Sequence, residues 1–390
     1  MLDAAHIIAE AEAQAGCADN EPHLRRNLDA LVNALNHDAR LSETGEAAAH
    51  RGLVARHMDR IAGQDWVRRY PEIADEVITA PVFLCGLPRS GTTYFQYLFD
   101  RDRRFRLIRT WQSLMPLPPP GFDPASVATR KAAEAERREA LRPKAVANFA
   151  ALHLLDLDGP DECHAFLEQT GAAAGFFNLY DVPSYFDFLM NEADLAAAYR
   201  VHKRQLQLLQ WRQLQSQWAV KYPNHIIAMD AISEVYPEAK FALTHRDPLQ
   251  VLASIAKMSL SLRTARYDAV DPRRVGQQML DFIDRHIQRI MAFCDGPEAA
   301  RAVHVDYYAL VANPGETMAK THADLGMTSP NDIMAEITGW RRENPKNARG
   351  SNDYALAQFG LSADEAEERF AAYRQRFAIP READGLAAIA

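Results

Sequence analysis

An anion-binding loop is indicated by residues 82–93, VFLCGLPRSGTT. An apolar run ends at Gly86, and Gly91 follows at the spacing of the phosphate-binding motif G-x-x-x-x-G-K-[ST]. Backbone N–H groups of such a turn, and of the helix that follows it, converge on an anion. Thr92 replaces the lysine of that motif, and a cation occurs instead at Arg89. The loop therefore has the shape of a triphosphate site without its usual lysine.

The missing lysine decides which anion fits. In nucleotide triphosphatases that lysine reaches the β- and γ-phosphates, and the next Ser or Thr binds Mg²⁺. Thr93 keeps the hydroxyl, but only Asp306 terminates a later predicted strand as a possible metal ligand. A guanidinium binds one phosphate or sulfate through two parallel hydrogen bonds. We predict a smaller anion held without a metal by Arg89, Ser90, Gly91, Thr92 and Thr93. An ordinary strand-to-helix turn is the alternative.

A second anion site is indicated by residues 240–255, KFALTHRDPLQVLASI. An apolar strand ends at Arg246, and Pro248 suits the first turn of a helix. Ser254 comes eight residues after Arg246, about two helical turns along, so both side chains can face one anion. The alternative is that Arg246 forms an ion pair with neighbouring residues.

Short apolar strands separated by helical patterns position these motifs. The predicted strands are Ala80–Cys85, Arg106–Thr110, Trp218–Lys221, Phe241–Thr244 and Val303–Val305. Such alternation predicts an α/β fold, a P-loop-like parallel sheet flanked by helices. Helix-spaced apolar residues predict a helical N-terminal extension over residues 1–75. The α/β domain then covers residues 76–390, with a helical insert at about 125–215.

Composition limits the class of protein. The 390 residues are 48% hydrophobic and carry a net charge of −8, which does not favour nucleic acid as a partner. No stretch reaches the roughly 18 apolar residues of a membrane span. The four cysteines are scattered, so neither a disulfide framework nor a zinc motif is predicted, and we expect a cytoplasmic protein in a reducing compartment. The first 16 residues, MLDAAHIIAEAEAQAG, predict an amphipathic helix and not a signal peptide.

The two anion motifs together resemble the signature of sulfotransferases that use 3′-phosphoadenosine 5′-phosphosulfate (PAPS). The resemblance is to a bacterial branch and runs from about residue 80 to 260. Its motifs here are Gly86–Thr93 (G-x-P-R-S-G-T-T), Trp111 near a proline-rich stretch, Lys221–His225 (K-x-P-x-H) and Thr244–Pro248 (T-H-R-D-P). The resemblance implies that the Arg89 loop binds the 5′-phosphosulfate, and that Arg246 and Ser254 bind the 3′-phosphate. PAPS would be the cosubstrate, with no metal.

The resemblance also implies the reaction, transfer of a sulfuryl group to a hydroxyl or amine of a small-molecule or lipid acceptor. Lys221 resembles a catalytic lysine that stabilises charge on the leaving group, together with Arg89. The branch usually has a glutamate base after its tryptophan, where this chain has Gln112. The best substitutes are His164, then Glu162, then Asp161, because an imidazole is the stronger base at neutral pH. Each could instead be a surface polar group or a helix cap.

Further positions are similar to parts of the family's nucleotide site. Tyr94 stands where an aromatic residue stacks on adenine, and Arg349 and Gly350 resemble a basic segment that closes over the 3′-phosphate. A core aromatic residue and a solvated loop are the alternatives. The rival functions are a small-molecule kinase or other P-loop phosphotransferase, and a catalytically weakened nucleotide-binding protein. Aromatic residues of the insert raise the hypothesis of an apolar acceptor pocket: Trp111, Phe122, Phe149, Phe166, Phe176, Phe177 and Tyr180.

Overall fold

A computed structural model describes residues 1–141, 156–344 and 356–388. The chain divides into two compact units. The first comprises Met1–Thr79, Ile108–Ser216 and Ser261–Val270. The second comprises Ala80–Leu107, Gln217–Leu260 and Asp271–Ala390.

A five-stranded parallel sheet forms the second unit. Its strands are β1 (Val82–Gly86), β2 (Phe105–Arg106), β3 (Gln217–Lys221), β4 (Lys240–His245) and β5 (Ala302–Asp306), in the order β2-β3-β1-β4-β5. Leu84 pairs with Lys221, and Gly86 pairs with Thr244. The loop after β1 and the ends of β3 and β4 therefore lie at one edge of the sheet, where open α/β sheets place their ligands. The predicted α/β fold is confirmed.

Burial on both faces explains why the sequence of β1 is apolar without alternation. All five residues of β1 are buried, as is typical of a parallel strand covered by helices on both sides. One apolar cluster joins Leu84 of β1 and Ala242 of β4 to Phe95 and Phe99 of the helix Thr92–Phe99. This packing fixes the helix that starts at the glycine loop.

Helices account for most of the rest of the second unit. They are Thr92–Phe99, Met229–Val235, Pro248–Thr264 (whose last four residues lie in the first unit), Pro272–Asp295, Tyr307–Ala312, Pro314–Asp324, Ile333–Glu343, Ala363–Arg376 and Glu382–Ala387. Short 3₁₀ helices occur at Pro223–Ala228, Ala299–Arg301 and Leu356–Phe359.

The described part of the first unit is helical. Its helices are Ala4–Ala15, Arg25–His37, Glu43–Arg69, Thr110–Leu114, Pro124–Leu141, His164–Glu168, Gly175–Leu179, Pro183–Asn191 and Leu195–Gln210, with 3₁₀ turns at Pro22–Leu24 and Pro71–Ile73. The predicted helical character of residues 1–75 and of the insert is therefore observed over the described residues. The domain bounds at 75 and at about 125–215 remain a prediction.

The second predicted strand, Arg106–Thr110, is too long. The strand ends at Arg106, and Thr110 already begins a helix. Within the first unit, the Thr110 N–H donates to the carbonyl of Gly159 (3.0 Å), and Arg109 forms an isolated antiparallel β-bridge with Pro160. This partner lies about 50 residues further along the chain, so the local pattern did not reveal it.

Membrane-spanning helices are not found in the described part of the chain: none is both long and apolar enough to cross a bilayer.

Candidate anion-binding site

The loop after β1 turns through left-handed backbone conformations. Gly86 has φ 142°, Arg89 has φ 73°, and Gly91 has φ 90° where it caps the helix Thr92–Phe99. The Ser90 N–H donates to the carbonyl of Leu87 (3.1 Å) and closes the turn. The intrahelical ladder starts only with the Phe95 N–H, which donates to Gly91 (3.0 Å). The earlier N–H groups have no partner within the helix and can serve an anion.

Glycine is required at both ends of this loop by close approach as well as by φ. A Cβ at Gly86 would lie 2.6 Å from the carbonyl oxygen and from Oγ1 of Thr244. A Cβ at Gly91 would lie 2.7 Å from the ring of Tyr307. The two glycines therefore allow the loop to contact the end of β4 and the residue after β5.

The two predicted anion motifs are contiguous. The Arg89 Nε donates to Oγ of Ser254 (3.1 Å), and Nη1 of Arg246 donates to the carbonyl of Arg89 (3.0 Å). Ser90 Oγ and Thr244 Oγ1 lie 2.7 Å apart and join the loop to β4. The structure thus brings together the loop residues with Arg246 and Ser254, which are more than 150 residues away in sequence.

Lys221 ends β3 beside the loop. Its side chain is only 1% exposed, and its Nζ donates to Oγ1 of Thr93 (3.2 Å). A buried ammonium is costly unless polar groups or an anion compensate it. Lys221 therefore adds a positive charge at the start of the loop helix, on the other side of β1 from Arg246.

Arg246 makes an ion pair as well as its contact with the loop. Its Nη2 and Nε donate to Oε1 and Oε2 of Glu382 (2.5 and 3.1 Å), and its guanidinium lies 4.4 Å from the ring centroid of Tyr307. Burial lowers the pKa of Arg246, but the hydrogen-bonded carboxylate of Glu382 and the neighbouring Tyr307 more than offset it, so the net pKa is raised.

Three polar residues near Arg246 were missed by sequence reasoning: Tyr307, Tyr308 and Glu382. The two tyrosines follow β5 directly, so their position at a strand end was a usable signal. Glu382 lies 136 residues from Arg246, and no motif marks it.

Asp306 and His245 have structural roles. The Asp306 carboxylate accepts the N–H groups of Tyr308 (2.6 Å) and Ala309 (3.0 Å) and caps the helix that follows. His245 is buried between Tyr373 (2.8 Å) and His304 (2.9 Å). Burial and the neighbouring His304 lower the pKa of His245 to about 3, so its imidazole is neutral.

The predicted base candidates belong to the first unit. Gln112 is buried and its Oε1 accepts the N–H of Arg109 (2.9 Å), so it caps the helix Thr110–Leu114. Asp161 accepts hydrogen bonds from the Ser113 hydroxyl and from the N–H of Glu162 (2.8 Å). Glu162 and His164 are half-buried, and His164 starts the helix His164–Glu168.

Tyr94 packs against apolar residues. It is half-buried, its ring centroid lies 5.9 Å from that of Trp340, and burial raises its pKa. Its proposed stacking on adenine stays a prediction. Arg349 and Gly350 lie outside the described residues.

The aromatic residues considered for an acceptor pocket are mostly buried in the first unit. Phe166, Phe176 and Phe177 are at most 4% exposed. Phe122 is 39% exposed, and its ring centroid lies 4.7 Å from that of Trp66. Phe149 lies outside the described residues. The buried positions of Phe166, Phe176 and Phe177 are typical of core packing.

A group that could hold a metal occurs on the first unit. Ligand atoms of His6, Glu10 and His50 lie within 4.8 Å of one another. None of the three belongs to the candidate anion-binding loop, which is in the second unit.

The parallel sheet flanked by helices, with a glycine loop after its first strand, defines an α/β class of protein. The chain belongs to the sulfotransferase family, because residues 81–332 match the family described as "Sulfotransferase family". A comparison with curated proteins gave no match.

Two solved structures share the fold closely. Sulfotransferase STF9 from Mycobacterium avium aligns with a TM-score of 0.89 at 23% identity, over 98% of each chain. Sulfotransferase STF1 from Mycobacterium tuberculosis aligns with a TM-score of 0.83 at 26% identity, over 95% of this chain and 99% of that one. The chain thus has the fold of these mycobacterial sulfotransferases over nearly its whole length.

Proposed function

We propose that this protein transfers a sulfuryl group from PAPS to a hydroxyl or amine of a small-molecule or lipid acceptor in the cytoplasm. It would belong to the bacterial branch that its motifs resemble. The observation that carries the proposal is the contact of the two anion motifs, in which Arg89 joins Ser254 and Arg246. A nucleotide with phosphates at both its 5′ and 3′ positions needs two such cationic sites close together.

The donor set fits the two ends of PAPS. The loop N–H groups and Arg89 would hold the 5′-phosphosulfate, with the Lys221–Thr93 pair beside them. Arg246 and Ser254 would hold the 3′-phosphate. Asp306 is used as a helix cap, which supports anion binding without a metal and disfavours the kinase alternative.

Lys221 is the residue best suited to stabilise developing charge. Bound PAPS supplies a sulfuryl group on a phosphate leaving group. The buried ammonium of Lys221 lies 3.2 Å from the hydroxyl of Thr93 at the start of the loop helix. A preorganised cation in a site shielded from water stabilises a growing negative charge strongly. Arg89, whose Nε donates to Ser254, would share that role.

The base that accepts the acceptor's proton remains a proposal from sequence. His164 is the first candidate and Glu162 the second. Asp161 is third, and its hydrogen bonds from Ser113 and the Glu162 N–H support that rank because they engage both carboxylate oxygens. Gln112 has no basic group and already accepts a backbone N–H.

Turnover tests the proposal directly. The protein is incubated with PAPS and, in turn, a phenol, a long-chain alcohol and a primary amine, and the release of adenosine 3′,5′-bisphosphate is followed with the sulfated product. We expect acceptor-dependent release that Arg89→Ala abolishes. Phosphorylated acceptor formed from ATP and Mg²⁺, with no product from PAPS, would show a phosphotransferase instead. Nucleotide binding without turnover on any acceptor would favour the weakened nucleotide-binding protein.

A further inference from the structure

The guanidinium assigned to the 3′-phosphate is already bound by a carboxylate of the same chain. Glu382 accepts two hydrogen bonds from Arg246, at 2.5 and 3.1 Å, through the Nη2 and Nε edge. Both side chains are mostly buried, at 17% and 18% exposed. This two-point geometry is the one that arginine uses for phosphate. Glu382 therefore occupies the edge of Arg246 that a phosphate would also use.

Further contacts hold Glu382 in place. The hydroxyl of Tyr308 donates to its Oε2 (2.8 Å), and its backbone N–H donates to Oδ2 of Asp247 (2.8 Å). Arg374 binds the other carboxylate oxygen of Asp247 (2.8 Å). A Cβ at Gly385 would lie 2.5 Å from the ring of Tyr308, so the helix Glu382–Ala387 rests closely on that ring. The carboxylate is thus presented by a docked element.

A phosphate and a carboxylate on one guanidinium repel each other. With Glu382 bound, the charge of Arg246 is neutralised, and an incoming 3′-phosphate meets a second anion on the guanidinium that would bind it. A phosphate dianion attracts a guanidinium more strongly than a carboxylate does. Arg246 is paired with an anion in both states, with Glu382 in the free protein and with the 3′-phosphate in the complex. A nucleotide without a 3′-phosphate offers no anion to replace the Glu382 carboxylate.

We propose that Glu382 competes with the 3′-phosphate of the nucleotide for Arg246, and that nucleotide binding releases the helix Glu382–Ala387 from that arginine. This inference rests on the proposed function, since it needs Arg246 to bind the 3′-phosphate. It makes Glu382 a specificity-determining residue, because only a 3′-phosphorylated nucleotide displaces the carboxylate.

Isothermal titration of adenosine 3′,5′-bisphosphate and of adenosine 5′-monophosphate into full-length variants tests the competition. Glu382→Gln keeps the shape but removes the charge, and we expect about 5- to 30-fold tighter binding of the bisphosphate, the effect of one partly buried ion pair. Binding of the monophosphate stays unchanged. The matched control is Asp384→Asn, which removes the same charge from an exposed position of the same helix and leaves both affinities unchanged.

A double-mutant cycle separates competition from other effects. In the Arg246→Ala background, Glu382→Gln should no longer increase the affinity for the bisphosphate, because the two anions no longer share a cation. Weaker or equal binding of the bisphosphate to Glu382→Gln overturns the inference and makes Glu382 a positioning residue for Arg246. That result for Glu382→Gln leaves the proposed function intact if the wild type binds the bisphosphate and Arg246→Ala weakens this binding. If no variant binds the bisphosphate, both the inference and the proposed function fail.

Hydrogen–deuterium exchange gives an independent readout on the wild type. Saturation with the bisphosphate should speed exchange in the peptide that contains Glu382–Ala387, while the loop after β1 becomes protected. Increased protection of Glu382–Ala387 would show that the helix stays docked on the bound nucleotide, which contradicts its release.

Discussion

Arg246 is a residue for which the sequence left two interpretations open. Its position at a strand end predicted either an anion site or an ion pair, and the structure contains an ion pair with Glu382 and a hydrogen bond to the Arg89 carbonyl. The motif could be found in the sequence because it lies within sixteen residues. The partner could not, because an ion pair between positions 246 and 382 follows only from the fold.

Lys221 should matter for chemistry more than for nucleotide affinity. Its charge is proposed to act on an oxygen that becomes negative only as the sulfuryl bond breaks, so it contributes mainly in the transition state. We expect Lys221→Ala to lower kcat by roughly 10²–10³ with little change in the affinity for adenosine 3′,5′-bisphosphate. The control is Lys240→Ala at the other end of the sheet, where Nζ donates to the carbonyl of Leu325 (2.6 Å). An equal loss of kcat in both variants would contradict the assignment.

The base candidates make a separate prediction at the same scale. His164→Ala should lower kcat by about 10²–10⁴ if its imidazole accepts the acceptor's proton. Glu162→Gln, measured on the same acceptor, should then retain most of its turnover. The reverse pattern would transfer the role to the carboxylate, and full activity in both variants would exclude both residues.

At the scale of elements, the glycine loop shows what local sequence determines. The strand β1, the turn and the helix Thr92–Phe99 all follow from a short apolar run, two glycines and a helix-spaced pattern. The bounds of β2 did not follow, because Thr110 begins a helix and donates to the carbonyl of Gly159, a partner distant in sequence. Local patterns thus located β1, β3, β4 and β5 to within about two residues. The prediction for β2 ran a few residues too far.

Gly91 has no room for a side chain. Alanine there combines φ 90° with a Cβ only 2.7 Å from the Tyr307 ring. We expect Gly91→Ala to lower the free energy of unfolding by about 1–3 kcal/mol and to abolish bisphosphate binding. Gly339 lies in the helix Ile333–Glu343 of the same unit, where a Cβ meets nothing within 4 Å. Gly339→Ala should therefore stabilise the protein by about 0.5–1 kcal/mol and keep binding. Denaturant unfolding of both variants checks the contrast, and unimpaired binding by Gly91→Ala would contradict the assigned role of the loop.

At the scale of the whole molecule, the family match covers residues 81–332 and the shared fold covers nearly the full chain, while no comparable match identifies the acceptor. Three of the four motifs lie on the second unit, at the strand ends where open α/β sheets place their ligands, whereas Trp111 lies in the first unit. The aromatic residues of the first unit are largely core, because helical spacing of apolar residues reflects packing before it reflects ligand binding. The nucleotide-site residues follow from motifs in the sequence and stay a prediction, whereas no motif indicates the acceptor.

Metal-free binding of adenosine 3′,5′-bisphosphate is the most direct measurement of the central claim, that this loop holds a sulfonucleotide by cations and backbone N–H groups alone. The titration is run on the full-length protein with and without EDTA, and repeated with ATP and Mg²⁺. We predict the same dissociation constant for the bisphosphate in both buffers and weaker binding of ATP. Loss of bisphosphate binding in EDTA, or a preference for ATP with Mg²⁺, would contradict it.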